Sequence, residues 1–340
     1  MNNSAQKNLN YKKYVVDSKL QYFKPHATKI EKTFAEEIYL SLTKNQKSIA
    51  PKFFYDKKGS ALFEKICSLP EYYPTRTEIM ILKKLQTELP DFLDHSFRLV
   101  ELGSGASIKT RLLLDIFTKL QDRIDYFPID ISEILTESSE QLLADYDDLH
   151  ITGIIDTYEG GLKFLQNFDS KKNLILFLGS SFGNFSPDDG YAFLQKINSA
   201  MKSEDLFLIG LDLVKDVQIL ESAYNDSQCV TAEFNLNVLS RINDELDADF
   251  DLINFKHHAI YNKEDQRIEM YLRSLVNQSV IISKSNLSLY LQKDELIHTE
   301  YSRKFQVPQI RELLTSAGFK IKNIWLDDGE NFSLSLVSKN

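Results

Sequence analysis

The stretch FRLVELGSGASIKTRLLLDIFTKL, residues 97–120, decides the fold. An apolar run carrying the acidic Glu101 reads as a strand, and Gly103, Ser104 and Gly105 read as a tight turn. Apolar residues at Ile108, Leu112, Ile116 and Leu120 then repeat at the helical period. Glycine permits positive φ and leaves no side chain between backbone and ligand. A helix starting at Ser107 aims the positive end of its dipole at the same turn. Strand, glycine turn and helix in this order place a nucleotide-like ligand at the carboxyl end of the first strand of an open α/β sheet.

The turn narrows the choice of ligand. A dinucleotide fingerprint, G-x-G-x-x-G, would need glycine where Ile108 stands, and Ile108 would crowd a pyrophosphate. No phosphate-binding G-x-x-x-x-G-K-[ST] occurs at this turn. The E-x-G-x-G pattern of Glu101, Gly103 and Gly105 resembles the first motif of S-adenosylmethionine-dependent methyltransferases. That resemblance implies glycines around the methionine moiety with adenosine beyond.

Bulk properties exclude other classes. The chain has 340 residues and 43% hydrophobic content, enough for a full core and two domains. A net charge of −9 argues against a nucleic-acid partner. No apolar run approaches a membrane span, and the polar opening MNNSAQKNLNYKKYVVDSK lacks a signal-peptide core. Cys67 and Cys229 are the sole cysteines, too few for a disulfide framework or a cysteine metal site. His257 and His258 alternate faces on an expected strand, which does not make a metal site. The expectation is a soluble, cytoplasmic, monomeric enzyme acting on a small molecule, with no metal, nucleic acid or membrane partner.

The α/β alternation continues after residue 120. Strands are expected at 126–129 (ending at Asp130), 151–155, 174–178 and 206–211, with a helix over 134–146 capped by Ser132. The run LILFL at 174–178 suits a strand buried on both faces. Ser186, Pro187, Asp188 and Asp189 open a further helix in the order cap, proline, acidic turn. These elements predict a parallel, doubly wound sheet. The pattern breaks after Leu213: residues 216–246 read as helical, followed by strands at 253–261, 267–275, 280–282 and 287–291, the first two joined by a hairpin at 262–266. A short helix ending at Gly318 and strands at 319–325 and 332–337 close the chain.

Asp130 stands where an acidic residue accepts hydrogen bonds from both ribose hydroxyls. Lys109, in the first turn after the glycine loop, can pair with a cofactor carboxylate. Gly179, Ser180, Ser181, Phe182, Gly183 and Asn184 follow the fourth strand, where such sheets set substrate against cofactor. Asn184 offers an acceptor and two donors, enough to hold an amine and a carboxylate together.

Five stretches in order and in register carry a more specific resemblance. They are PKFFYDKKGSALFEKICSLPEYYPTRTE at 51–78, ELGSGASIKTRLLLD at 101–115, LGSSFGNF at 178–185, IEMYLRS at 268–274 and HTEYSRKF at 298–305. Together they resemble the histidine Nα-methyltransferases of ergothioneine biosynthesis, which trimethylate histidine to hercynine, and the similarity spans about residues 25–338. The resemblance implies a class I methyltransferase α/β fold: a doubly wound sheet, mostly parallel with an antiparallel last strand, plus a discontinuous α+β substrate domain. Residues 78–214 and 305–340 would bind S-adenosylmethionine, and residues 1–77 and 215–304 would bind substrate.

It also implies roles, residue by residue. Tyr55 matches a tyrosine at the cofactor and substrate amine, and Tyr72 matches one beside the imidazole. Asn184 and Tyr224 match the pair gripping the amino-acid head group; Ser181 lies near the amine, and Gly179 lines the cofactor together with Gly103, Ser104, Lys109 and Asp130. Met270 walls the side-chain pocket, and Glu300 and Ser302 match residues bonded to the two imidazole nitrogens. Tyr55, Ser181 and Asn184 form the expected catalytic set, without a designated general base.

The last pair makes chemical sense. Neutral imidazole offers a donor and an acceptor, imidazolium two donors, and a carboxylate plus a hydroxyl suits either state. A carboxylate about 4 Å from a cation is worth roughly 4 kcal/mol at an effective dielectric of about 20, before desolvation. The plainer alternative makes Glu300, Ser302 and His298 the outward face of a polar strand. The chain departs from the family at the adenine: Thr157 stands where an acidic residue is expected, with Tyr158 for a usual Phe and Asp156 one position away. Other readings are the same fold acting on another amino acid or small amine, a nicotinamide oxidoreductase (disfavoured by Ile108), and a non-catalytic cofactor-binding protein.

Overall fold

The computed structural model describes residues 10–26, 32–103, 108–131 and 134–340. Its strands are β1 (Tyr11–Val15), β2 (Leu20–Pro25), β3 (Phe97–Leu102), β4 (Ile124–Asp130), β5 (Leu149–Ile155), β6 (Lys172–Phe177), β7 (Leu206–Asp212), β8 (Phe255–Asn262), β9 (Arg267–Ser274), β10 (Gln278–Ile282), β11 (Leu287–Leu291), β12 (Leu296–Arg303), β13 (Phe319–Leu326) and β14 (Phe332–Lys339). Its helices are α1 (Phe34–Leu42), α2 (Lys57–Cys67), α3 (Tyr73–Glu88), α4 (Ile108–Leu120), α5 (Ile134–Asp145), α6 (Tyr158–Gln166), α7 (Pro187–Ala200), α8 (Val217–Tyr224), α9 (Val230–Leu246) and α10 (Val307–Ser316).

Nine strands form one sheet in the order β1-β2-β5-β4-β3-β6-β7-β14-β13. β3 pairs in parallel with β4 and β6, whereas β14 runs antiparallel to β7 and β13. This is a doubly wound, mostly parallel sheet whose last strands are antiparallel, with its switch point between β3 and β6. Alternation along a strand sends side chains to opposite faces. In β7, Leu206 and Leu208 join the core beneath α3 and α4, while Phe207 and Ile209 join the core on the other face with Leu194 of α7. Every residue of β3 and β7 is buried, as a doubly covered strand requires.

Ser186 caps α7 by accepting the Asp189 N–H, and Gly318, at φ +89°, closes α10. The Ser132 cap and the Ser107 helix start lie outside the described residues.

One expectation differs from the structure. The sequence places residues 1–77 in the substrate domain, but β1 and β2 extend the large sheet, with β2 parallel to β5 (Leu20 opposite Ile151). The sequence YKKYV hides this because β1 is a charged, largely exposed edge strand whose register comes from its neighbour. The helical stretch 216–246 is divided into α8 and α9. The Asp226 carboxylate accepts the Val230 and Thr231 N–H groups at 2.8 Å each, starting α9 anew after Cys229 at φ +60°.

The remaining elements make a second layer over the carboxyl edge of the sheet. β8, β9 and β12 form an antiparallel sheet in the order β12-β9-β8, beside the β10-β11 hairpin. One core joins Phe54, Leu62 and Ile66 from the early chain to Phe234, Val238 and Ile242 of α9 and to Leu272 and Ile297 of this sheet. Segments far apart in sequence are therefore one packed unit.

Candidate active site

A pocket opens where the loops after β6 and β7 meet the second layer. Gly179 (φ +77°) and Ser180 (φ +57°) turn the chain sharply after β6, and a short turn, Ser181–Asn184, presents Ser181 and Asn184 to the pocket. Only glycine takes such a φ without strain. The Ser180 hydroxyl, buried, accepts the Asp212 N–H at 3.0 Å and ties this loop to β7. Gly183 has a packing reason: a Cβ there would lie 2.9 Å from the Arg303 carbonyl of β12.

Glu78 holds the loop from below. Its carboxylate is fully buried, accepts the Gly179 N–H at 2.9 and 3.0 Å, and pairs with Lys109 at 2.8 Å. Burial would lower the Lys109 pKa, but Glu78 outweighs it and keeps the ammonium protonated. Lys109 thus has a protein partner as well as a position beside the glycine loops.

The pocket floor is a connected polar cluster. Lys304, wholly buried, reaches Asp212 at 2.7 Å, the Ser302 hydroxyl at 2.9 Å and the Tyr224 hydroxyl at 3.1 Å. Tyr224 donates to Ser302 at 2.8 Å. Asp212 also binds Lys215 at 2.6 Å and the Tyr73 hydroxyl at 2.7 Å. Burial would raise the Asp212 pKa, but the two lysines hold it below the usual range. Lys304 is pushed up because Asp212 and Tyr224 outweigh its desolvation, whereas burial brings Lys215 down to about 8. Of the adjacent tyrosines, Tyr72 lines the pocket and Tyr73 serves this cluster.

Glu300 and Ser302 both line the pocket from β12. A register shift between His298 and Glu300 separates them from His298, so the simple alternation of the three does not hold. Burial lifts the Glu300 pKa to about 7, with Lys304 opposing. Met270, 2% exposed on β9, adds an apolar wall. Tyr72 meets Tyr224 edge-on at 6.1 Å and Phe63 at 6.3 Å. Tyr55 leans on Phe63 and Phe234; it is 41% exposed, yet into the cavity, where burial among protein and then Glu300 push its hydroxyl pKa well up.

The glycine turn lies along the same edge. Gly103 sits at φ +72°, and a Cβ there would come within 2.7 Å of the Tyr158 hydroxyl. Asp130 ends β4, half-buried, and contributes with burial to a raised Tyr158 pKa. Thr157 caps α6 through the Gly160 N–H. Asp156 accepts the Tyr11 hydroxyl of β1 and the Thr157 N–H, so it is committed to the protein. Ser104 lies outside the described residues.

Comparison with known proteins bears on this arrangement. The family described as histidine-specific, SAM-dependent methyltransferase matches residues 34–339. The histidine N-alpha-methyltransferase of Mycobacterium tuberculosis is 38% identical over 304 residues, which is 89% of this chain and 94% of that one. Ergothioneine biosynthesis protein 1 of Neurospora crassa is 31% identical over 294 residues, 84% of this chain but 32% of that protein. The 4-dimethylallyltryptophan N-methyltransferase of Claviceps purpurea is 25% identical over 322 residues, 88% of this chain and 93% of that one.

This chain belongs to the histidine-specific, S-adenosylmethionine-dependent methyltransferase family.

The methyltransferase fits its cofactor on structural grounds. Positive φ at Gly103 and Gly179 leaves backbone cradles that a Cβ would obstruct, at the ends of β3 and β6 where an open α/β sheet binds ligand. Among the described residues no helix is long and apolar enough to cross a membrane, and no three side chains group as metal ligands. The structure brings Tyr55, Tyr72, Gly179, Ser181, Asn184, Tyr224, Met270, Glu300 and Ser302 around one pocket. Sequence reasoning missed Glu78, Asp212, Lys215 and Lys304. Their one signal is a charged side chain in an otherwise buried element, legible only once burial is known.

Proposed function

We propose that this methyltransferase transfers three methyl groups in succession to the α-amino nitrogen of L-histidine, giving hercynine for ergothioneine biosynthesis. The observation that carries the substrate is Glu300 with Ser302 at the wall of a pocket otherwise lined by tyrosines and Met270. That pair matches an imidazole's two nitrogens, and an indole's single donor would leave one of them unanswered. The printed names of the M. tuberculosis and N. crassa relatives support the same reading.

S-adenosylmethionine, when bound, supplies an already activated methyl group. The protein's part is positioning and exclusion of water. Gly103, Ser104, Gly179 and Lys109 would hold the amino-acid end of the cofactor, Asp130 its ribose, and Thr157 and Tyr158 its adenine side. Asn184 and Tyr224 hold the substrate head group, with Ser181 and Tyr55 beside the amine. The amine attacks only as a neutral nucleophile, so each of the first two transfers must be followed by proton loss before the next. Tyr55 and Tyr72 offer ring faces to the growing ammonium.

The proposed enzyme is a monomer, and Cys67 and Cys229, both free, suit a reducing cytoplasmic setting. The test is incubation with S-adenosylmethionine and all twenty amino acids, read by mass spectrometry. A product three methylene units heavier on histidine alone is expected. Methylation of another amino acid would overturn the pocket reading and keep the chemistry.

A further inference from the structure

The ammonium of Lys304 has three protons and, in this structure, three acceptors: Asp212 at 2.7 Å, Ser302 at 2.9 Å and Tyr224 at 3.1 Å. Each hydroxyl therefore has one lone pair already taken by a buried cation. The Tyr224 hydroxyl donates its own proton to Ser302 at 2.8 Å. Ser302 then accepts two hydrogen bonds, which fills both lone pairs and leaves it one proton to give. That proton has the pocket before it, since Ser302 lines it.

Glu300, two residues along the same strand, is the complement. Among the described residues no side chain donates a hydrogen bond to its carboxylate, which faces the pocket, so the ionised group offers its oxygens as acceptors to whatever enters. The wall thus presents a donor at Ser302 and an acceptor at Glu300. Imidazolium carries N–H at both nitrogens and would set one against the Ser302 proton. Neutral imidazole satisfies both groups in one tautomer alone.

We infer that Lys304 is a positioning residue that fixes Ser302 as a hydrogen-bond donor, so that histidine is taken with a neutral ring whose bare nitrogen faces Ser302 and whose N–H faces Glu300. This deepens the proposed function and rests on it. Lys304 acts through the two hydroxyls. The charged and titratable groups around it are Asp212 and Lys215 at the end of β7, Tyr73 of α3, Tyr224 of α8, Tyr261 of β8 and Glu300 of β12. Lys304 is the second of two lysines on Asp212, so replacing it leaves Asp212 paired with Lys215 and Tyr73.

The test uses the trimethylated betaine of histidine, whose quaternary nitrogen cannot titrate, labelled with ¹⁵N in the ring and bound to the protein with S-adenosylhomocysteine. On the wild type at pH 7.5, NMR is expected to find one bare and one protonated ring nitrogen, and the neutral ring is expected to persist about one unit below its ordinary pKa of about 6.5. In Lys304→Met the betaine is expected to bind about tenfold more weakly, S-adenosylhomocysteine to bind within about twofold of wild type, and the bound ring to mix tautomers or charge. Two protonated nitrogens on the wild type would overturn the inference, with no reliance on any variant folding. So would an unchanged affinity and spectrum in Lys304→Met. Failure of the wild type to bind the betaine or to methylate histidine would instead overturn the proposed function beneath it.

Discussion

The carboxylate of Glu78, in α3, accepts the backbone N–H of Gly179 at 2.9 and 3.0 Å, joining the helix that leads into β3 to the loop after β6. The same carboxylate carries Lys109 of α4. One buried side chain therefore ties α3 to both α4 and the Gly179 loop. Glu78→Ala leaves Lys109 without its partner and the Gly179 N–H unanswered. Removing one member of a buried pair costs about 3–5 kcal/mol, and the partial exposure of Lys109 puts this site at the low end. Denaturant unfolding checks the loss, and Glu78→Gln, which keeps an acceptor for Gly179, is expected to recover part of it.

Glu300→Gln separates binding from stability. Histidine affinity is expected to fall about tenfold or more, with S-adenosylhomocysteine affinity within about twofold; equal losses for both ligands would refute the imidazole contact. The folded-state pKa of about 7 lies above the ordinary carboxyl value of about 4.3. Stability from the protonated form is thus complete below the lower value and is lost as pH rises through the upper one. The stabilisation of Glu300→Gln over wild type is expected to be about 2 kcal/mol larger at pH 8 than at pH 5, measured by denaturation without ligand.

Gly103→Ala faces two obstacles, a φ of +72° and the Tyr158 hydroxyl 2.7 Å from the new carbon. The first costs roughly 1–2 kcal/mol whatever surrounds it. The second disappears in Tyr158→Phe. In a double-mutant cycle on S-adenosylhomocysteine affinity, the paired variant is expected to lose less than the sum of the single losses. Strict additivity would mean that the contact is irrelevant.

Asp130 ends β4, and Asp156 follows the neighbouring β5 and accepts the Tyr11 hydroxyl. Asp130→Ala is expected to weaken S-adenosylhomocysteine binding by about tenfold or more, the loss of charge-assisted bonds to a ribose. Tyr11→Phe is expected to destabilise the fold by about 1 kcal/mol and leave that affinity within about twofold. Calorimetry and thermal melts distinguish the two.

Local pattern was enough for the sheet from β3 onward. Apolar runs such as 174–178, the glycine turn at Gly103 and the cap at Ser186 each specify a backbone state through nearest neighbours, and the observed strands follow them. Motifs likewise named Tyr55, Tyr72, Asn184, Tyr224, Met270, Glu300 and Ser302, and these line one pocket. The chain by itself did not reveal that Tyr11–Val15 joins the sheet, because an edge strand's pairing comes from the strand beside it. Nor did it reveal that Lys109 meets Glu78, or that Lys304, Lys215 and Asp212 share one buried site. A charged residue reads as solvated until its neighbours are known, since its protonation and hydrogen bonding depend on burial and on partners as far away as Tyr73 is from Lys215, 142 residues along the chain. Sequence determined the fold and which side chains reach the pocket; tertiary structure decided which of their protons and lone pairs remain free to meet a ligand.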